Sequence, residues 1–319
     1  MAQHTRVAVV QAGSVPFDAV ATTARAIGLI EEAAAAGALV IVFPEAFIGT
    51  YPKGLTFGSP LGRRTEAGRD EYLRYARGAI ALDGAELTAV AGAARRTGAF
   101  VVMGIIERAG GTLYCTAVFI DPDRGVVAHH RKLMPTAAER LVWGFGDGST
   151  LPVADTAAGR VGAVICWENY MPLLRQTMYA KGVELYCAPT VDDRDSWQHT
   201  MVHIALEGRC FVLAACQFIR RGDYPEPYAS AIDVAADEAL IRGGSVIIDP
   251  LGEVLAGPVY GEACILTADI DLDRRTRALL DFDPVGHYAR PDVFQLTVDD
   301  RAKRSAWFRS ASDPGHTAP

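Results

Sequence analysis

Uninterrupted apolar runs limit what this chain can fold into. Ala38 to Phe43 reads ALVIVF, and Arg160 to Cys166 reads RVGAVIC, with a single charge at its first residue. Such runs are typical of strands covered on both faces, as in parallel sheets flanked by helices. Phe17 to Ala36 places apolar residues at helical spacing, and Gly37 follows it as a C-terminal cap would. The pattern predicts an α/β fold.

The strands between residues 100 and 132 must pair as antiparallel strands, unlike the parallel strands described above. They are separated only by the turns Gly110-Gly111 and Asp121 to Gly125, and connections this short join antiparallel strands. The predicted sheets are therefore mixed. Further helices are expected at about 66–79, 84–97, 173–181 and 196–208. Further strands are expected at 6–12, 184–188, 210–216, 243–248, 253–256 and 263–272, and a loop at 49–68.

No repeat of fixed period and no Pro/Ser linker divides the chain. We therefore expect one domain over residues 1–298, followed by a C-terminal tail at 299–319. The tail is mostly polar apart from Trp307 and Phe308, which makes it a candidate for contacts between subunits.

Charge and cysteine content exclude several classes of protein. The net charge is −7 without any basic run, so neither a nucleic acid nor an anionic membrane is an expected partner. The six cysteines show no CxxC spacing, which is typical of reduced thiols in the cytoplasm. The N-terminus does not resemble a secretory leader and no apolar stretch is long enough to cross a membrane, so neither secretion nor membrane insertion is expected. The charge balance suits a small neutral substrate.

Cys166 is the most informative single residue. It ends a buried strand, and the chain then turns toward a helix through Trp167. A strand end gives a nucleophile a fixed direction, and nearby peptide N–H groups favour a thiolate and later an oxyanion. Taken alone, however, Cys166 is more simply explained as a small buried hydrophobic residue.

Two further strand ends carry ionisable groups. Glu45 follows ALVIVFP and could be a tuned general base, and Lys132 in HHRKLMPT could hold positive charge against a developing anion. Glu139, in the loop that follows Lys132, could orient the lysine ammonium or a water. The alternatives are a capping or surface glutamate, an exposed lysine and a solvated loop charge.

No metal site is predicted. His129 and His130 are adjacent on a strand, so their side chains point to opposite faces and cannot both bind one ion. The acidic cluster Asp192, Asp193 and Asp195 is interpreted as a turn and N-cap before the helix at Ser196, rather than as a cation site.

Three blocks together resemble the nitrilase superfamily. FPEAFIGTYPKG surrounds Glu45, HRKLMPTAAERLVWG surrounds Lys132, and CWENYMPL begins at Cys166, in the order found in that superfamily. Further similar blocks, at 186–217 and 283–294, extend the likeness over about 7–294. The joint pattern is far more specific than any of its residues, and it favours the catalytic interpretation of Glu45, Lys132 and Cys166.

The resemblance implies a four-layer α-β-β-α sandwich, a Glu-Lys-Cys triad of Glu45, Lys132 and Cys166, and a second glutamate at Glu139. It also implies that no cofactor is needed, and that the chain forms homo-oligomers, either dimers or larger spirals. Positions expected near the substrate pocket are occupied by Tyr51, Trp167, Thr190 and Trp197.

Within the superfamily, Cys166-Trp167-Glu168 resembles the nitrilase branch, which implies an organic nitrile as substrate and the carboxylic acid and ammonia as products. FIGTYPKGLTFG is similar to plant-type and related bacterial nitrilases, although Thr50 stands where glycine is commoner. The alternatives are an amidase with the same triad, a cyanide-processing relative and, from another class, a non-catalytic assembly or binding module.

Overall fold

The computed structural model describes residues 4–306, and within that range it contains thirteen strands and six α-helices. The strands are β1 (His4–Gln11), β2 (Val40–Val42), β3 (Phe100–Ala109), β4 (Thr112–Asp121), β5 (Gly125–Arg131), β6 (Val153–Thr156), β7 (Gly159–Ala163), β8 (Leu185–Thr190), β9 (Phe211–Cys216), β10 (Phe218–Arg220), β11 (Ala239–Ile248), β12 (Val254–Tyr260) and β13 (Cys264–Asp271). The helices are α1 (Ala19–Ala35), α2 (Glu66–Arg77), α3 (Ala85–Thr97), α4 (Pro172–Ala180), α5 (Asp195–Gly208) and α6 (Leu272–Ala278).

The strands form two mixed sheets. The first has the order β13-β1-β2-β3-β4-β5, in which β1, β2 and β3 are parallel and the other pairs antiparallel. In the second, β10-β11-β9-β8-β7-β6, strands β7, β8 and β9 are parallel, and β12 also pairs with β11. The prediction of mixed sheets is confirmed.

Along each inner strand, the side chains of alternate residues pack into different hydrophobic cores. Val7 and Val9 of β1 join residues of the second sheet in a central core, whereas Ala8 and Val10 pack with α1 and α3. A third core lies between the second sheet and helices α4 and α5. The layers therefore run helix, sheet, sheet, helix, which confirms the predicted α-β-β-α sandwich.

Local sequence explains where the first helix begins and ends. The Asp18 carboxylate accepts a 2.8 Å hydrogen bond from the Ala21 N–H and so caps α1. Ala26, Ile30 and Ala33 form its buried stripe. The chain leaves the helix through Gly37 at φ +90°, a left-handed conformation that glycine adopts without steric cost. The C-cap residue itself is Ala36, one position before the expected Gly37, and Gly37 is the left-handed residue that follows it.

Strands β6 and β10 were not expected, and two further differences concern the chain at Cys166 and the start of α5. Strand β7 ends at Ala163 instead of continuing to Cys166, because the chain turns there into a short 3-10 helix, Cys166–Tyr170. The predicted aspartate N-cap was wrong, since α5 has Arg194 at its N-cap without a capping side chain. Asp192 instead binds Arg194, and Asp195 binds Arg242.

The end of the chain is only partly described. Residues 299–306 are exposed, and the Lys303 N–H donates a 2.7 Å hydrogen bond to the Asp147 carboxylate. Trp307 and Phe308 lie outside the described residues. Among the described helices, none combines the length and the apolar character that a membrane span requires.

Candidate active site

Glu45, Lys132 and Cys166 each follow the end of a strand, at the same edge of the two sheets. Lys132 Nζ donates to Glu45 Oε1 at 2.7 Å and to Glu139 Oε2 at 2.8 Å. All four residues are buried or nearly so, with Glu139 the least enclosed at 10% side-chain exposure. The structure therefore brings together the four residues that the motifs single out.

The backbone aims the Cys166 side chain. Cys166 has φ +50°, a left-handed conformation that a non-glycine residue adopts at an energetic cost. The Asn169 amide holds this turn by donating to the carbonyl of Val164 at 2.9 Å and to that of Cys166 at 2.7 Å. Nearby Ala46, Thr50 and Ala137 also have positive φ, so strained backbone is concentrated around the candidate site.

Electrostatics keep Cys166 a thiol at rest. Burial raises the pKa of Cys166, the Glu45 carboxylate raises it further, and the Lys132 ammonium opposes both. The hydroxyl of Thr190, which donates to Cys166 Sγ at 3.2 Å, also lowers that pKa. The thiolate must therefore be formed by transferring its proton to a nearby base when a substrate arrives.

Glu45 is suited to accept that proton. Burial raises its pKa, whereas the Lys132 ammonium lowers it. Burial by itself would lower the pKa of Lys132, but Glu45, Cys166 and Glu139 raise it well above its ordinary value, so the ammonium stays charged. Glu45 Oε2 is buried and has no hydrogen-bond partner at ordinary distance among residues 4–306. The Cys166 thiol is nevertheless near enough to lower the pKa of Glu45 by hydrogen bonding, so the carboxylate is within reach of the thiol proton.

Glu139 is held between a cation and a phenol. Its Oε2 accepts from Lys132 and, at 2.6 Å, from the Thr136 N–H, while its Oε1 accepts from the Tyr51 hydroxyl at 2.8 Å. The Tyr51 ring meets Trp143 edge-on, with 5.8 Å between centroids. Glu139 is thereby fixed as a second carboxylate against Lys132, as the resemblance implies.

A cavity of about 310 Å³ opens onto this group. Trp167 stands at its mouth with 43% of its surface exposed, donates through Nε1 to Asp192 Oδ2 at 2.9 Å, and carries the Arg194 guanidinium over its ring. Cys166 belongs to the cavity wall, with 3% of its surface exposed. The lining residues are Tyr51, Lys53, Thr136, Glu139, Cys166, Trp167, Val191, Asp192, Asp193 and Arg194.

Not every predicted pocket residue lies at this cavity. Tyr51 and Trp167 line the cavity, and the Thr190 hydroxyl donates to the Cys166 sulfur without lining the cavity itself. Trp197 is fully buried in the core between the second sheet and its helices, where its ring meets Tyr170 at 6.1 Å. The structure therefore does not bring Trp197 to the cavity wall.

A larger cleft, of about 560 Å³, lies on the surface between Phe17 and Arg74. None of the predicted catalytic residues lines it. Within residues 4–306, no group of three His, Cys, Asp or Glu side chains is arranged to hold a metal ion.

Several residues of the site were missed. Gln217 Nε2 donates to the Glu45 carbonyl at 2.7 Å, and the Cys115 thiol contacts Glu45 Oε1 at 3.4 Å. Glu168 and His130 form a buried pair behind the site. Gln217 and Glu168 follow strand ends, the signal that identified Glu45, whereas Cys115 lies within β4 and carries no such signal.

The chain belongs to the carbon-nitrogen hydrolase family, whose profile matches residues 6–278. It is accordingly a hydrolase of carbon-nitrogen bonds, and the resemblance drawn from the three motifs is confirmed. It is 59% identical to a nitrilase of Bradyrhizobium diazoefficiens over 94% of each chain. An aliphatic nitrilase of Sinorhizobium fredii is also 59% identical, over 96% of this chain and 99% of the relative.

A bifunctional nitrilase/nitrile hydratase of Nicotiana tabacum is 52% identical over 98% of this chain and 91% of the relative. Among solved structures, Saccharomyces cerevisiae Nit3, a member of branch 10 of the nitrilase superfamily, superposes with a TM-score of 0.68. That match has 22% identity and covers 90% of this chain and 97% of Nit3, so it supports the fold alone.

Proposed function

We propose that this enzyme hydrolyses an organic nitrile to the carboxylic acid and ammonia, with Cys166 as the nucleophile. The observation that carries the proposal is the position of Cys166, in the wall of an open cavity next to the buried Glu45–Lys132 pair. The names of the relatives, which include a nitrilase and an aliphatic nitrilase, support a nitrile as the substrate.

In the first step Glu45 removes the thiol proton and the Cys166 sulfur attacks the nitrile carbon. One bond of the carbon–nitrogen triple bond breaks, and the nitrogen takes up the proton to give a thioimidate. Lys132 and the peptide N–H near Trp167 stabilise the charge that develops on the nitrogen. A fixed ammonium in a buried site is effective here because little solvent screens it.

Water then adds to the thioimidate, with Glu45 as its general base. The tetrahedral species takes a proton on nitrogen and expels ammonia, which leaves a thioester on Cys166. A second water, again deprotonated by Glu45, attacks the thioester and releases the acid and the free thiol. In total one nitrile and two waters give one carboxylic acid and one ammonia.

The same tetrahedral species can break its carbon–sulfur bond instead, which releases the amide. We propose amide as a second product, because the tobacco relative is named a bifunctional nitrilase/nitrile hydratase. The fraction of amide depends on whether nitrogen or sulfur is protonated first, and Glu45 and Lys132 are the groups placed to decide this.

We also propose that the enzyme works as a homo-oligomer in the cytoplasm. All six cysteines are free thiols, which suits a reducing compartment. Large apolar side chains are exposed on α4 and on the segment after α6, at Leu173, Leu280, Tyr288 and Phe294, where a second copy could cover them. The tail at 299–319 follows this segment and is proposed to contribute to subunit contacts.

The function is tested with propionitrile, benzonitrile and phenylacetonitrile, each beside its matching amide, by measuring ammonia, acid and amide. The enzyme is expected to release ammonia and acid from at least one nitrile. Cys166→Ala is expected to abolish turnover while keeping the fold.

Cys264→Ala, which removes a thiol on β13, is the control and should remain active. Turnover of amides alone would establish an amidase, and nitrile hydrolysis by Cys166→Ala would refute the proposed nucleophile.

A further inference from the structure

Glu168 connects the two halves of the site. Its Oε1 accepts a 2.6 Å hydrogen bond from the N–H of Leu133, and its Oε2 accepts a 3.0 Å bond from the N–H of Ile165. Leu133 directly follows Lys132, and Ile165 directly precedes Cys166. One carboxylate therefore binds two backbone N–H groups. One belongs to the residue after Lys132, and the other belongs to the residue before Cys166.

These two N–H groups lie just beyond the ends of strands in different sheets. Lys132 follows β5 of the first sheet, and Cys166 follows β7 of the second. Buried polar groups whose hydrogen bonds are all made rigidify a core and specify one arrangement, so hydrogen bonds between the two sheets fix their relative position. Glu168 provides such bonds at the edge where the sulfur and the ammonium must meet.

His130 completes the connection. Its Nε2 lies 3.0 Å from Glu168 Oε2 and its Nδ1 lies 2.6 Å from the carbonyl oxygen of Thr150. A carboxylate and a carbonyl accept hydrogen bonds. Burial by itself would lower the pKa of His130, but both partners raise it above its ordinary value, which favours the imidazolium form. Both side chains are completely buried, so the carboxylate is balanced by a charge that solvent does not screen.

We propose that Glu168 is a positioning residue that sets the separation between the Cys166 sulfur and the Lys132 ammonium, with His130 as its charged support. Glu168 does not line the cavity, and each of its oxygens is engaged by N–H donors, so it acts through its neighbours and not on the substrate. The inference rests on the proposed function, because the separation between sulfur and ammonium matters only if Cys166 and Lys132 take part in the reaction.

Glu168→Gln tests this with almost no change of shape. Every group around the carboxylate is a donor, so the amide NH₂ of glutamine must face a donor in either orientation. We expect kcat to fall about 100-fold, because a displacement of about 1 Å can cost that much. KM should change little, since the cavity wall is intact.

A second measurement is independent of any substrate. The Lys132 ammonium lowers the pKa of Cys166, so a displaced ammonium leaves less thiolate at a given pH. Alkylation of Cys166 by iodoacetamide, followed by mass spectrometry, is expected to slow about tenfold in Glu168→Gln. Simple loosening of the structure would expose the sulfur and accelerate the reaction instead.

Asp249→Asn is the matched control. Asp249 is also a buried carboxylate that accepts from two peptide N–H groups, those of Leu251 and Glu253, and from one cation, Arg274. It lies after β11, beyond the Ile248–Val212 pair, at the opposite end of the second sheet from Thr190. The Asp249→Asn variant should be less stable than wild type but should keep the wild-type kcat and the wild-type alkylation rate of Cys166.

Glu168→Asp, which keeps the charge opposite His130, is measured in parallel in case Glu168→Gln does not fold. Its shorter side chain cannot reach both peptide groups, so kcat should again fall. Wild-type kcat and alkylation rate in folded Glu168→Gln or Glu168→Asp would overturn the positioning role. A wild-type enzyme that turns over no nitrile would instead refute the proposed function, and the alkylation rates would still test Glu168.

Discussion

The Nζ atom of Lys132 lies 2.7 Å from Oε1 of Glu45, and neither side chain is exposed to solvent. The same ammonium binds Glu139, so one buried cation serves two carboxylates. Such a group is costly to desolvate, and the Lys132 ammonium offsets part of that cost by attracting both carboxylates. Its excess of negative charge also favours proton uptake by the group, and this is the property that a general base requires.

Replacing Lys132 with Met should therefore affect both activity and stability. The change leaves Glu45 and Glu139 buried without their cation, and breaking a buried ion pair on one side costs about 3 to 5 kcal/mol. We expect the free energy of unfolding in urea to fall by about this amount at neutral pH, with nitrile turnover lost. The loss of stability should shrink at acidic pH, where the two carboxylates can be protonated. An equal loss at all pH values would contradict the assignment of charge.

Tyr51→Phe tests how Glu139 is held. The change removes the hydroxyl that donates to Glu139 Oε1 and leaves that oxygen without its donor. Hydrogen bonds to charged groups contribute about 1.5 to 3 kcal/mol, so we expect kcat/KM to fall by roughly 10- to 100-fold. Tyr179→Phe is the control, because Tyr179 donates to Glu207 at 2.8 Å away from the cavity. Equal activity losses in the two variants would argue against a specific role of Tyr51.

Thr190→Val should change the reactivity of the nucleophile. The Thr190 hydroxyl bond lowers the pKa of Cys166, so removing it raises that pKa further. The profile of iodoacetamide alkylation against pH should therefore move to higher pH, with slower reaction at any pH below the midpoint. Thr23→Val, which removes a helical hydroxyl in α1, is expected to leave the profile in place. A shift to lower pH in Thr190→Val would contradict the assigned hydrogen bond.

His130→Gln should alter the dependence of stability on pH. Burial by itself would lower the pKa of His130, but Glu168 and the Thr150 carbonyl raise it above its ordinary value. A raised pKa in the folded state adds stability that is fully present below the unfolded value of about 6.5 and is lost as pH rises through the folded value. Wild type should therefore lose stability as the pH rises from the unfolded-state pKa of His130 to its folded-state pKa. Urea unfolding at a series of pH values should show a smaller loss in His130→Gln, and identical slopes would contradict a charged His130.

Much of the site could be predicted because its chemistry lies at strand ends. A buried strand shows in the sequence as an apolar run. The run that begins at Ala38 stops at Phe43, and Glu45 lies just beyond its end. The short 3-10 helix after Ile165 could not be predicted in this way. The apolar run continues to Cys166, and only the positive φ of that residue reveals that the strand has already ended.

The amino-acid sequence alone determined the α/β layers, the mixed sheets and the identities of Glu45, Lys132, Glu139 and Cys166, because periodicity and local motifs are properties of neighbouring residues. The tertiary structure decided which sheet carries each residue and which face of α5 is covered. It therefore placed Trp197 in a helix-side core and Glu168 between Leu133 and Ile165. Those placements depend on contacts between segments far apart in the chain, and no local pattern specifies which partner a buried side chain will meet.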